Sequence, residues 1–164
     1  MTASNVQLQS GRADFDFLIG RWDIRHRRLR ESLNGCTTWD EFEGRAVDRY
    51  ILGGTGSISE VTLQLAAGPI EGMTVRLFNP TSEQWSVYWI NASNGILSTP
   101  MIGGFSHGRG AFYAQEIFAD KYIFSRFLWS DITPTSCHWE QAFSEDGGST
   151  WETNWTMDLT RLPE

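Results

Sequence analysis

Cysteine and histidine are scarce in this chain, with two Cys and three His among 164 residues. Cys36 and Cys137 stand far apart without a Cys-x-x-Cys spacing, which argues against a disulfide framework and a structural zinc site. His26, His107 and His138 do not group by spacing either, so no metal centre and no cofactor is expected. Positive charge is also short: 13 basic residues against 20 acidic ones give a net charge of −7. A phosphate-backbone binder needs a basic face, and so does a protein that docks on an anionic membrane surface. Nucleic acid and membrane are therefore excluded as expected partners. No apolar run approaches the roughly 20 residues that span a bilayer. Residues 1–11 are polar and lack the apolar centre of a signal peptide, so the chain reads as a cytoplasmic protein. Nucleophile elbows of the Gly-x-Ser-x-Gly kind are missing, as is a Ser-His-Asp order. Gly53-Gly54-Thr55-Gly56 lacks the following Lys of a phosphate loop and reads as a flexible turn at a barrel mouth.

What the chain does have is aromatic mass, with eight Trp and ten Phe, and each such side chain buries roughly 150–250 Å². The hydrophobic period is two, not 3.6. Strand-like runs fall at 21–30, 38–51, 58–65, 73–79, 83–91, 95–103, 110–118, 121–130, 136–144 and 150–161. Turn signals such as Asn34-Gly35, Gly68-Pro69, Asn94-Gly95 and Asp146-Gly147-Gly148 separate them. The pattern predicts one all-β domain over 13–164, an antiparallel barrel of about ten strands, behind a flexible tail at 1–12. A short helical turn around 14–19 closes one end, and closure removes the exposed sheet edges.

Alternation assigns the interior. On the first strand Trp22, Ile24, His26 and Arg28 face in, against the charged Arg21, Asp23, Arg25 and Arg27. Phe42, Gly44, Ala46 and Tyr50 face in on the second. Trp85, Val87, Trp89 and Asn91 are assigned inward on the fifth, where Tyr88 and Ile90 make the alternation ambiguous, and Trp139, Gln141 and Phe143 on the ninth, with His138 and Glu140 outside. On the last strand Trp151, Thr153, Trp155, Met157 and Leu159 face in, and Glu152, Asn154, Thr156 and Asp158 out. The runs at 110–118 and 121–130 are apolar on both faces and cannot be oriented.

Phe15-Asp16-Phe17-Leu18-Ile19-Gly20-Arg21-Trp22 resembles the opening of calycins, in which a helical turn precedes Gly-x-Trp. The resemblance implies that Trp22 packs across the closed end against a late Arg, here Arg161. Together with Gln84-Trp85-Ser86-Val87-Tyr88-Trp89 and Trp139-Glu140-Gln141-Ala142-Phe143-Ser144, it makes residues 14–162 similar to a bacterial calycin-like (lipocalin-like) family of largely unassigned function. His138 stands where that resemblance leads one to expect Arg, which speaks against an essential role for it. Ser144-x-Asp146-x-Gly148-x-Thr150-Trp151 resembles an Asp-box, a folded hairpin in which Asp146 satisfies turn amides and Trp151 anchors.

Two functions follow. In the first the barrel binds a small, largely apolar molecule, aromatic or polycyclic, against Trp85, Trp89, Asn91, Trp139, Gln141, Phe143 and Trp155. In the second it is a cofactor-independent isomerase, cyclase or lyase acting on such a molecule. There His26, helped by Arg28 and Tyr50 or Gln141, moves a proton or polarises a carbonyl. Heme binding is a weaker third reading, with His107 as the flexible candidate ligand in a mobile flap at 101–110. A homodimer is compatible with all of them.

Overall fold

The computed structural model describes residues 11–164. Ten strands form: β1 (Gly20–Leu29), β2 (Trp39–Ile51), β3 (Gly56–Leu65), β4 (Gly68–Asn79), β5 (Gln84–Asn91), β6 (Met101–Ser106), β7 (Arg109–Phe118), β8 (Lys121–Ser130), β9 (Ser136–Ser144) and β10 (Glu152–Arg161). Each pairs antiparallel with its neighbours in sequence, and β10 returns to β1, so the sheet closes into a barrel. Nine of the ten strands lie where period-two alternation puts them. The sixth does not. Residues 92–100 form a loop in which Leu97 makes only an isolated bridge to Ile90. The strand begins at Met101 and runs through Gly103 and Gly104, which read as a flap. Gly103 is required there: a Cβ would lie 1.9 Å from the carbonyl oxygen of Ala111 on β7.

One end is shut. The 3₁₀ turns Gly11–Ala13 and Asp16–Leu18 cross it; of the expected tail at 1–12, Gly11 and Arg12 fall in the first turn and residues 1–10 lie outside the described ones. Trp85 Nε1 donates to Gly11 O at 3.0 Å and Arg12 donates to Gly53 O at 2.9 Å. The Gly53-Gly54 turn therefore sits at this closed end, not at the mouth. Trp22 is fully buried, and its Nε1 donates to Leu18 O at 2.7 Å. Arg161 stacks over it, Cζ 4.3 Å from the ring centroid, and its guanidinium donates to Pro134 O, Ile19 O and Phe17 O. Phe15 plugs the barrel between Trp85, Phe105 and Phe112, with ring centroids 4.9–5.5 Å away.

Interior parity on β1 is as read from sequence, but burial follows it only through His26: Arg28, at the mouth, is exposed and Leu29 is buried. On β10 a register shift between Thr153 and Trp155 inserts Asn154, which is buried instead of facing solvent. Trp155, Met157 and Leu159 stay inside, whereas Trp151 is corrected to the outer face, where Arg126 lies 4.4 Å over its ring and Tyr113 packs beside it. The Asp146 hairpin folds as the motif implies. Asp146 accepts from Thr150 N and Thr150 Oγ1, and from Ser144 Oγ, which hold its carboxyl down to about 2. The strands that could not be oriented, β7 and β8, turn Phe112, Ser125 and Trp129 inward. Outward they expose Tyr113, Ile117, Tyr122 and Phe124, so both faces carry apolar residues.

Candidate functional site

Between the closed end and the mouth the barrel encloses a cavity of about 240 Å³. Its walls are mostly aromatic and aliphatic: Trp89, Phe127, Trp129, Trp139, Trp155 and Met157 among them. Small residues make the room. Gly72 lies under Trp89, whose ring would come within 2.2 Å of a Cβ there. Gly44 lies under the imidazole of His26, whose Nε2 would be 2.6 Å from an added Cβ.

The expected binding residues divide. Trp89, Trp139, Gln141 and Trp155 line the cavity. Trp85 does not: it is 2 % exposed and belongs to the closed-end plug with Phe15 and Phe78. Asn91 ends β5 and caps the following turn, its Oδ1 accepting from Ser93 N and Ser93 Oγ, so it is a loop-forming residue. Phe143 lies above the cavity in the mouth, with its ring 5.2 Å from that of Phe118. The bulge at Asn154 builds a collar at this level, where Gln141 Nε2 donates to Asn154 Oδ1 at 2.8 Å.

The expected acid–base residues divide as well. His26 is 1 % exposed and on the cavity wall, its ring stacked on Phe42 at 4.8 Å and 7°. Trp155 Nε1 approaches His26 Nδ1 at 3.1 Å. An indole N–H can only donate, so Nδ1 accepts and a neutral ring carries its proton on Nε2. Burial holds the imidazole neutral, its pKa lowered to about 4. Nε2 has no partner among the described residues. Arg28 keeps its inward parity, paired with Trp155 and Asp40, but is exposed because β1 has reached the mouth above the cavity, with Cζ 5.3 Å over the Trp155 ring. Tyr50 is 49 % exposed and lies at the closed end beside Asp16, two residues beyond the last inward position of β2. Neither Arg28 nor Tyr50 reaches the cavity. His107 occupies the tight β6–β7 turn at the closed end, with φ 52° and Nδ1 2.7 Å from Ser106 Oγ, which removes the flap and its heme ligand. Among the described residues no three His, Cys, Asp or Glu side chains gather as metal ligands.

Sequence reasoning missed the cavity's charged floor. Asp48 and Arg76 are 5 % and 4 % exposed and line the cavity with Ser59. Arg76 Nη1 donates to Asp48 Oδ1 at 3.0 Å and to Ser57 Oγ at 3.5 Å, and Nη2 donates to Ser59 Oγ at 2.7 Å. Ser59 Oγ in turn donates to Asp48 Oδ1. The guanidinium lies 5.2 Å over the Phe15 ring. Burial pushes the Asp48 carboxyl up, against the pull of Arg76. Asp48 shares its parity with Ala46, so position alone would have found it. Glu116, on the previously unoriented β7, also lines the upper cavity.

No family model and no curated protein matches the chain. Solved structures do. The S-type phycobiliprotein lyase CPES from Guillardia theta aligns with a TM-score of 0.66 at 10 % identity, covering 96 % of this chain and 95 % of that one. EF1p2_mFAP2b bound to DFHBI aligns at 0.48 and 13 %, covering 93 % and 99 %. A de novo designed fluorescence-activating β-barrel aligns at 0.48 and 14 %, covering 90 % and 95 %. The likeness to the lyase shows a shared fold over nearly the whole of both chains.

Proposed function

We propose that this barrel binds one small, largely apolar molecule, aromatic or polycyclic, in its enclosed cavity. The observation that carries the reading is the cavity itself. A barrel of this size can be filled by side chains, yet here about 240 Å³ stays open behind a wall of tryptophans. Enclosed apolar pockets with a few placed polar groups are the usual form of small-molecule sites. The lyase that shares the fold keeps the enzymatic alternative in view. What favours binding over catalysis is the state of His26. Its basic lone pair is engaged by Trp155 Nε1, and its remaining N–H faces Gly44 rather than open space. A proton-transfer role would require the Trp155 contact to break first.

Titration with flat aromatic compounds tests the reading, with intrinsic tryptophan emission as the signal. Saturable 1:1 quenching or a spectral shift is expected, reduced by Trp139→Phe and Trp155→Phe. A panel of naphthalene, anthracene and fused heterocyclic compounds that leaves the emission unchanged would overturn it.

A further inference from the structure

We propose that the Asp48–Arg76 pair is a polar anchor for the ligand's buried end, and that this end is an uncharged group bearing both a hydrogen-bond donor and an acceptor, of the carboxamide or lactam class. The inference rests on the reading of the cavity as a ligand site and specifies what that ligand carries.

Three observations converge. The first is charge. One carboxylate and one guanidinium face each other at 3.0 Å with both side chains buried, so the floor is already neutral as a unit. An ionised head group placed on it would bring an uncompensated charge into a poorly solvated space, which is far costlier than a neutral dipole. Of the other imidazole, carboxyl and guanidinium groups on the lining, His26 is held neutral and Glu116 lies towards the mouth, where it also borders a surface depression. Neither supplies a counter-charge at the floor.

The second is unused hydrogen-bonding capacity. Every hydrogen bond that Asp48 accepts from a side chain falls on Oδ1, and among the described residues none reaches Oδ2. A guanidinium has five N–H groups. Arg76 directs three of its four Nη hydrogens at Asp48, Ser57 and Ser59, which leaves one on Nη2; its Nε also has no acceptor among the described residues but is itself fully buried. The floor thus offers a spare acceptor on Asp48 beside a spare donor capacity on Arg76. An amide edge, with its C=O next to its N–H, complements both at once.

The third is orientation. The pair sits beside Leu18 and over Phe15 at the shut end, whereas the tryptophan wall extends from there to Trp89 and Trp155 near the mouth. A ligand entering by the mouth places its polar end on the floor and its rings against the wall.

Calorimetric titration of three naphthalenes that differ only at one substituent tests this: 2-naphthamide, 2-acetylnaphthalene and 2-naphthoate. The intact protein is expected to bind the amide at least tenfold more tightly than the ketone, which lacks the donor, and than the carboxylate, which adds charge. Asp48→Asn leaves Arg76 unneutralised and is expected to reverse the order of amide and carboxylate. The double variant Asp48→Asn/Arg76→Met, which removes both charges, is expected to erase the amide's advantage over the ketone and covers the case in which the single variant does not fold. Equal binding of amide and ketone by the intact protein overturns the anchor while leaving the aromatic site standing. An unchanged order in Asp48→Asn overturns it too. Binding of none of the three, alongside binding of unsubstituted naphthalene, shows that the floor repels polar heads and overturns the anchor alone. Binding of no aromatic compound at all overturns the site and the anchor together.

Discussion

The closed end and the upper barrel are built from the same residue types to different ends. At the closed end Trp22 Nε1 and the Arg161 guanidinium donate to backbone carbonyls, and the rings of Phe15, Trp85 and Phe112 touch edge to face or stack. In the upper barrel aromatic rings border open volume instead, and polar atoms are left over: His26 Nε2 and Asn154 Nδ2 have no partner among the described residues. The loop over this end exposes Ile96 and Leu97 at 64 % and 56 %. Buried polar groups are normally satisfied, because an unsatisfied one costs about 1–3 kcal/mol. The contrast teaches that close packing is concentrated at one end, and that the cavity above it, from Arg76 Nε at its floor to Asn154 Nδ2 at its collar, retains unsatisfied groups and space, as a site does.

Trp22→Ala would break the comparison at its strongest point. A loss of about 3–5 kcal/mol is expected in chemical denaturation, the scale for removing a large buried aromatic. Arg161→Ala should cost less, and the double variant less than the two singles combined, because the ring–guanidinium contact can be lost only once. Additive losses would show that the stack does not hold the closed end.

Acid should act on the upper barrel first. His26 titrates near 6.5 when unfolded and at about 4 when folded, so over that interval the unfolded chain binds more protons. Stability is therefore complete above pH 6.5 and falls as the pH drops towards 4, by roughly 3 kcal/mol at about 1.4 kcal/mol per unit. The difference between the intact protein and His26→Gln, measured by denaturation across that range, should carry this slope. A parallel pH dependence of the two proteins would mean that His26 does not feel its burial.

Much of this architecture is legible in the sequence. Strict alternation on β1 and β9 placed Trp22, His26, Trp139 and Gln141, and Gly-x-Trp with a late Arg marked the closed end. The failures have distinct causes. The bulge at Asn154 shifts parity by one, so Trp151 left the interior and Asn154 entered it. Asn94-Gly95 signalled a hairpin, but the chain turns already at Asn91–Asn94 and stays irregular to residue 100. Asp48 and Arg76 were hidden by their charges. Such residues are buried only when paired, and the partners lie on strands β2 and β4, which share no direct pairing. Tyr50 has inward parity but sits where the strand runs past the end of the barrel, so parity no longer implies burial.

Smaller changes sharpen the comparison. Gly44→Ala brings a methyl group against His26 Nε2 and within 2.9 Å of Thr62 O. A loss of about 1–3 kcal/mol is expected, as for other overpacked interiors, with a rise in any ligand's Kd. Unchanged stability would show that the imidazole has room to move. Arg28→Ala removes only an exposed cation–π contact at the mouth, and the expected change in stability is under about 1 kcal/mol. A larger loss would place part of the fold's stability at the open end.

The central claim is that the space between the two ends holds a ligand. Val61 on β3 lines that space and is partly buried. Titration of the intact protein and of Val61→Phe with the same aromatic ligand, with melting temperatures recorded for both, tests the claim directly. The expected result is a folded Val61→Phe barrel whose affinity is reduced at least tenfold, because the added ring occupies the cavity. Equal affinity in the two proteins would contradict the claim and place the ligand outside the barrel.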